Sequence, residues 1–125
     1  MLRLLVVDDD EDLRLLFSVE FSASGRRIEE ASSGEEAVEL ARETMYDAIF
    51  MDYNMAGING LEAIRQIREF NTTTPVYLYS TAELREEGSN LGIYPEDLSR
   101  VQATGYVQKD SKARGKIEII LKTLE

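Results

Sequence analysis

The feature that most constrains the fold is a short uninterrupted apolar run at residues 48–51, which ends at one carboxylate, Asp52. A run without polar alternation indicates a strand that is buried on both faces, as strands of parallel sheets are. A glycine-bearing loop follows at residues 53–60. Asp52 would then lie where the strand emerges, at the edge where open α/β sheets bind their ligands. We therefore interpret Asp52 as a candidate nucleophile.

Five predicted strands alternate with stretches whose apolar residues recur at helical spacing. The strands are predicted at residues 2–7, 27–31, 48–51, 76–80 and 105–108. The predicted inward-facing helix residues are Leu13, Leu16, Phe17 and Phe21, then Ala37, Leu40 and Ala41, then Leu61, Ile64, Ile67 and Phe70, then Leu98 and Val101, and finally Ile117, Ile120, Leu121 and Leu124. A further short helix can form over residues 83–87. Because no hairpin signal interrupts the alternation, we predict parallel strands in one doubly wound α/β sheet with helices on both faces.

Composition limits the possible function. The 125 residues suffice for one domain, residues 1–125, with a core of its own. Since the chain has no cysteine and no histidine, any metal site must be built from oxygen ligands and suit a hard cation. The net charge of −10 argues against nucleic-acid binding. No stretch is typical of a signal peptide or a membrane span, so we expect a cytoplasmic protein without a membrane partner.

Chemically useful side chains follow four of the predicted strands, and parallel strands bring their carboxyl ends to one edge. They are Asp8 and Asp9 after the first strand, Asp52 after the third, Ser80 and Thr81 after the fourth, and Lys109 after the fifth. Taken alone, each of these residues has a simpler interpretation, as a helix cap, a turn residue or a solvated charge. Two carboxylates about 4 Å apart repel by roughly 4 kcal/mol, so the acids should raise a pKa or recruit a divalent cation. Mg²⁺ is the natural occupant, and Mn²⁺ or Ca²⁺ can substitute.

This arrangement suits phosphoryl transfer, in which a protein mainly positions reactants and offsets charge. Asp52 would attack phosphorus and form an aspartyl phosphate. The metal ligands would be Asp9, Asp52 and the backbone carbonyl of Asn54, with Asp8 acting through water. Lys109 would pair with a phosphoryl oxygen.

A hydroxyl at the end of the fourth strand would donate a hydrogen bond to another phosphoryl oxygen. Ser80 is favoured because it shares strand parity with Val76 and Leu78, and Thr81 is the alternative.

Four segments resemble the CheY-like receiver domains of two-component response regulators. They are residues 4–9 (LLVVDD), 47–61 (DAIFMDYNMAGINGL), 75–82 (PVYLYSTA) and 105–109 (GYVQK). The resemblance implies a flavodoxin-like strand order 2-1-3-4-5 and a phosphoprotein whose Asp52 is phosphorylated by a histidine kinase or a histidine phosphotransfer protein. It also implies that Ser80 and Tyr106 act as switch residues. They would reshape a face for a downstream protein, formed by the region from Ser80 to Lys109 and the C-terminal helix.

The sequence departs from the family pattern at three places. Ala56 and Asp110 stand where the family usually has proline, which puts a cis peptide after Lys109 in doubt. The segment between Ser80 and Lys109 is longer than usual.

We predict a stand-alone receiver domain that catalyses only its own phosphorylation and dephosphorylation. One alternative is a receiver-shaped interaction module that is never phosphorylated. Another is a phosphatase of the haloacid-dehalogenase kind, which would want an acid at position 54, where this chain has Asn54.

Overall fold

In a computed structural model, the described residues (1–23, 25–84 and 93–125) form a five-stranded parallel sheet between two layers of helices. The strands are β1 (Leu2–Val7), β2 (Arg26–Ala31), β3 (Ala48–Met51), β4 (Val76–Ser80) and β5 (Gly105–Gln108). Their spatial order is β2-β1-β3-β4-β5, and every neighbouring pair is parallel. The predicted fold class and strand order are therefore confirmed.

The helices cover both faces of the sheet. They are α1 (Glu11–Phe21), α2 (Gly34–Glu43), α3 (Gly60–Arg68), α4 (Pro95–Arg100) and α5 (Ala113–Leu124). One core cluster joins α1 and α5 to the sheet, and the other joins α2, α3 and α4 to its opposite face. Each of the first three helices begins at a side-chain cap, since Asp10, Ser33 and Asn59 accept hydrogen bonds from backbone N–H groups of the first turn.

The central strand β3 has the predicted environment, because all four of its residues are fully buried. Alternation along it sends Ala48 and Phe50 to the face of α1 and α5, and Ile49 and Met51 to the face of α2 and α3. Burying both faces explains why the strand carries no polar alternation. Asp52 follows directly and turns the chain out of the sheet.

Two details of the predicted helices are wrong. In α1, Phe17 and Phe21 are buried, but Leu13 and Leu16 are 41% and 52% exposed. Both leucines line an open groove, together with Lys109 and residues of the loop that follows β5, so they are not part of the core. Phe70 is not part of α3, because the helix ends at Arg68 and Phe70 lies in the following turn.

The predicted inward residues of the other helices are buried or partly buried. Of the short helix expected at residues 83–87, positions 85–87 lie outside the described residues. Across the described ranges, no helix is long and apolar enough to cross a membrane.

Candidate functional site

The predicted acidic residues meet at the carboxyl edge of the sheet. The carboxylates of Asp8, Asp9 and Asp52 each offer an oxygen atom, and these oxygens lie within 4.8 Å of one another. Asp8 and Asp52 are buried, and Asp9 is exposed. Backbone hydrogen bonds fix the strand ends, because Asp52 N–H donates to the carbonyl of Val7 at 2.9 Å. The parallel pairing of β1 with β3 therefore assembles this acidic cluster.

Lys109 reaches the acidic cluster from the end of β5. Its Nζ donates to Oδ2 of Asp8 at 2.7 Å and lies 3.3 Å from Oδ1 of Asp52. Its backbone N–H donates to the carbonyl of Ser80 at 2.7 Å, so β4 holds the loop that carries it. Burial alone would lower the pKa of Lys109, but the hydrogen bond to Asp8 and the charges of Asp52 and Asp8 outweigh it and raise the pKa above its ordinary value. The ammonium therefore stays charged within the site.

Asp52 has an electrostatic environment with opposing contributions. Burial raises its pKa, and the charge of Asp8 acts in the same direction. Lys109 opposes this shift, as does the backbone N–H of Tyr53, which donates to Oδ1 at 2.9 Å. The net result is a pKa raised above the ordinary value of 3.8. A carboxylate that is buried and only partly compensated is a site at which added positive charge is stabilising.

The loop after Asp52 depends on two glycines. Gly57 has φ of +82°, a left-handed conformation that favours glycine. A Cβ atom at Gly60 would lie 2.1 Å from the carbonyl oxygen of Asp52, so only glycine lets α3 begin this close to the acidic cluster. Asn54 lies in this loop with an exposed side chain, and Ala56 is exposed as well.

The two candidate hydroxyls occupy different environments. Ser80 is 1% exposed, and its Oγ accepts a hydrogen bond from the N–H of Ala82 at 3.2 Å. Thr81 is exposed and lines the groove beside Leu13. The hydroxyl of Tyr106 donates to the backbone carbonyl of Ser80 at 3.3 Å, which joins both predicted switch residues.

Tyr106 on β5 is partly buried. Burial raises the pKa of Tyr106, and nearby carboxylates, with Asp110 the strongest, act in the same direction.

The loop after Lys109 leads directly into α5. The bond between Lys109 and Asp110 is trans. The carboxylate of Asp110 accepts a hydrogen bond from the N–H of Lys112 at 2.9 Å, so it shapes the turn where the family usually has proline.

Two residues near the site were not predicted from the sequence. Arg14 on α1 donates from its guanidinium to the backbone carbonyl of Asp8 at 2.7 Å, and it pairs with Glu30. Tyr79 on β4 lies beneath Lys109, whose Nζ is 4.9 Å from the ring centroid. Strand parity points to Tyr79 only when the register of β4 with β5 is known, since that register puts Tyr79 and Lys109 on the same side of the sheet.

The donor set fits a hard divalent cation. The three converging groups are carboxylates, and the whole chain lacks the thiol and imidazole ligands that softer metals prefer. Three carboxylates with one ammonium leave an excess of negative charge at the site. Fold and site together define a doubly wound α/β domain with an acidic cation site and a buried carboxylate at its ligand-binding edge.

The chain belongs to the response regulator receiver domain family of two-component signalling, whose family model matches residues 4–120. Transcriptional regulatory protein ResD of Bacillus subtilis is 37% identical over 81 residues, which is 65% of this chain and 34% of that protein. Transcriptional regulatory protein ZraR of Escherichia coli is 31% identical over 109 residues, which is 81% of this chain and 25% of that protein. The chain thus spans about a third or less of the length of these curated relatives.

Solved structures agree over the whole chain. Chemotaxis protein CheY4 of Vibrio cholerae has a TM-score of 0.83 and 26% identity, with 100% of this chain and 99% of that chain covered. Response regulator protein TrrA of Thermotoga maritima has a TM-score of 0.81 and 31% identity, with both chains covered completely, and its structure is a complex with Mg²⁺ and BeF. The predicted family is confirmed. A receiver domain is a signalling domain and not a classical enzyme, so the phosphatase alternative is set aside.

Proposed function

We propose that Asp52 is the phosphoacceptor of this receiver domain and that it takes a phosphoryl group from a phosphohistidine donor. One observation carries the proposal. A buried carboxylate at the end of the central strand lies 3.3 Å from a partly buried ammonium and beside two further carboxylates. Such a set supplies a nucleophile, a counter-charge and oxygen ligands for a cation, which are the parts that phosphoryl transfer requires.

The transfer exchanges one bond to phosphorus for another. An oxygen of Asp52 forms the new P–O bond, while the bond between phosphorus and the donor's imidazole nitrogen breaks. The electron pair leaves with that nitrogen, and a proton from water, taken up by the imidazole, makes the departing group a neutral histidine. Lys109 already lies between Asp8 and Asp52, where it can donate a hydrogen bond to an oxygen of the transferred group. Ser80 would donate to another of these oxygens.

The residues that would hold Mg²⁺ are Asp9, Asp52 and the backbone carbonyl of Asn54, with Asp8 contributing through water. Mn²⁺ or Ca²⁺ would substitute, since both accept the same oxygen ligands. The cation would supply positive charge against the oxygens of the phosphoryl group. The all-carboxylate cluster, with Asp9 exposed at its mouth, supports this assignment.

Receiver domains interact with histidine kinases and downstream effectors. For this chain we propose a cytoplasmic location and a histidine kinase or histidine phosphotransfer protein as the donor. We further propose that the downstream protein binds a face formed by α4, β5 and α5. The hydrogen bond from Tyr106 to the carbonyl of Ser80 supports this proposal, because a movement of Ser80 toward a phosphoryl group would disturb a side chain on β5.

The proposal is tested by incubating the protein with acetyl phosphate and Mg²⁺ and measuring the intact mass. We expect one phosphoryl adduct that is stable in acid and labile in base, as an acyl phosphate is. EDTA should weaken its formation, and Asp52→Ala should abolish it. Asp47→Ala is the matched control, because Asp47 lies at the other end of the same strand and accepts a hydrogen bond from the backbone of Arg3.

Each result separates the proposal from its alternative. An adduct that persists in Asp52→Ala would show that another residue is modified. The absence of any adduct, from acetyl phosphate and from a phosphohistidine donor alike, would favour the interaction module that is never phosphorylated.

A further inference from the structure

The ammonium of Lys109 has a third neighbour besides the two carboxylates. Its Nζ lies 4.9 Å from the centroid of the Tyr79 ring, within the distance at which a cation is attracted to an aromatic face. The lysine side chain is 11% exposed, so little water competes for the contact. Neither composition nor the acidic cluster requires a tyrosine at this position.

The ring of Tyr79 is itself held in place by aromatic neighbours. It meets Phe17 of α1 edge-on at 6.0 Å between centroids, and Phe17 packs against Phe50 of β3 at 5.3 Å. Phe17 and Phe50 are 3% and 0% exposed. The ring is therefore a fixed surface that extends from the core of the domain to the ammonium.

An aromatic face differs from a carboxylate as a partner for lysine. An ammonium has three N–H donors, of which one is bonded to Asp8 and a second is directed toward Asp52. The ring attracts the charge as a whole and requires no single N–H. It can therefore restrict the flexible side chain while leaving a donor for a further oxygen.

We propose that Tyr79 is a positioning residue for Lys109, whose ring holds the ammonium where an oxygen of the transferred phosphoryl group would bind. This inference rests on the proposed phosphoryl transfer to Asp52. A bound cation would compete with Lys109 for the charge of the Asp8 carboxylate. The ring of Tyr79 would still attract the ammonium, because an aromatic face is not a ligand for such a cation.

The test compares rates of phosphorylation by acetyl phosphate at saturating Mg²⁺. We expect Tyr79→Leu to lower the rate roughly fivefold and Tyr79→Phe, which keeps the ring face, to retain the rate of the unaltered protein. Fluorinated phenylalanines at position 79 should slow the reaction stepwise with each added fluorine, because fluorine withdraws the electron density that attracts the cation. The affinity for Mg²⁺, measured by calorimetry, should stay unchanged.

Tyr77→Leu is the matched control for lost packing. Tyr77 lies on the same strand and the same face, is also partly buried, and stacks on Phe50 at 5.6 Å. An equal loss of rate in Tyr77→Leu and Tyr79→Leu would overturn the inference, as would a fluorinated series with no trend. So would an unchanged rate in Tyr79→Leu.

A second measurement does not depend on phosphorylation. Protons of the Lys109 ε-methylene group above a ring face should show an upfield NMR shift that Tyr79→Leu removes and Tyr79→Phe retains. Ordinary shifts in the unaltered protein would overturn the inference by themselves. If those shifts are upfield and the unaltered protein takes no phosphoryl group, the positioning geometry stands and the proposed phosphoacceptor function fails.

Discussion

Two charged clusters in this molecule contain similar groups in different proportions. In the acidic cluster at the carboxyl edge, three carboxylates face one ammonium. The second, which we call the arginine cluster, consists of two sets of ion pairs on opposite faces of the sheet at β1 and β2. It has three carboxylates and three guanidinium groups: Arg3 and Arg27 pair with Glu29, and Arg26 pairs with Glu118 and Glu125.

The two clusters differ in the balance of negative and positive charge, and this difference separates a structural role from a functional one. In the arginine cluster each carboxylate already has a cation, as Arg26 shows by lying 2.7 Å from Glu118. A further cation would gain little there. In the acidic cluster the excess negative charge remains, and burial of Asp8 and Asp52 keeps water from screening it fully. Carboxylates and cationic side chains therefore stabilise the fold in one place and prepare a binding site in the other.

The largest expected effect comes from removing the only cation found in the acidic cluster among the described residues. Lys109→Ala should lower the rate of phosphorylation by acetyl phosphate roughly a hundredfold, the usual cost of losing one donor to a transition-state oxygen. It should leave Mg²⁺ binding intact, because the carboxylates that bind the ion remain. Intact-mass time courses and calorimetry measure the two quantities.

Lys112→Ala is the control for this variant, since Lys112 is exposed in the same loop. It should change neither the rate nor the affinity. Abolished Mg²⁺ binding in Lys109→Ala would contradict the role assigned to Lys109. It would mean that the lysine holds the carboxylates in the geometry that binds the ion, and does not only offset their charge.

Sequence reasoning predicted the sheet and the acidic cluster for a physical reason. Parallel strands bring their ends to one edge whatever their separation in the chain, so Asp8, Asp52 and Lys109 had to be neighbours once the strands were recognised. The strand order itself came from the family resemblance. The placement of the site thus followed from topology and did not require any knowledge of side-chain packing.

The failures of prediction share a different physical cause. Helical spacing identifies residues that share a face, but it does not tell how far the opposing surface extends. Leu13 and Phe17 share a face of α1, yet only Phe17 has the sheet beneath it. Tyr79 and Arg14 were missed because their contacts with the site depend on the register of β4 with β5 and on the position of α1. Neither quantity is expressed in the periodicity of the chain.

Removing one charged group should change the melting temperature in opposite directions in the two clusters, and this effect is smaller. Without divalent ions, Asp9→Asn should raise the melting temperature by about 4 °C, because it removes one of three repelling carboxylates. Mg²⁺ should then stabilise the variant less than the unaltered protein. Arg26→Gln should lower the melting temperature by a similar amount, since it leaves Glu118 without its close partner.

Circular dichroism melts in EDTA and in Mg²⁺ measure both variants. Asp12→Asn serves as the control for Asp9→Asn, because Asp12 is an exposed acid in the first turn of α1. If Asp9→Asn destabilises the protein as Arg26→Gln does, the acidic cluster is compensated and the comparison between the clusters fails.

The smallest effect concerns the pH dependence of the arginine cluster. The hydrogen bond from Arg3 holds the pKa of Glu29 below its ordinary value of 4.5. Burial opposes this shift. The charge of Arg3 and the hydrogen bond from the Tyr46 hydroxyl lower the pKa further. A lowered folded-state pKa means that the unfolded chain binds more protons in acid. The stabilisation by Glu29 is therefore complete above pH 4.5 and is lost as the pH falls through the lower folded-state pKa.

Glu29→Gln should accordingly melt about 2 °C lower than the unaltered protein near pH 7. That difference should shrink as the pH falls below 4.5, because protonation then removes the same charge from the unaltered protein. Arg3→Gln should give the same profile, and the double variant should be no worse than either single one, since all three lose one interaction. A difference that stays constant into acid would show that Glu29 contributes by packing and not by charge. The ion pair of Glu29 would then contribute nothing to stability through its charge. The arginine cluster and the acidic cluster would differ only in how deeply their charged groups are buried.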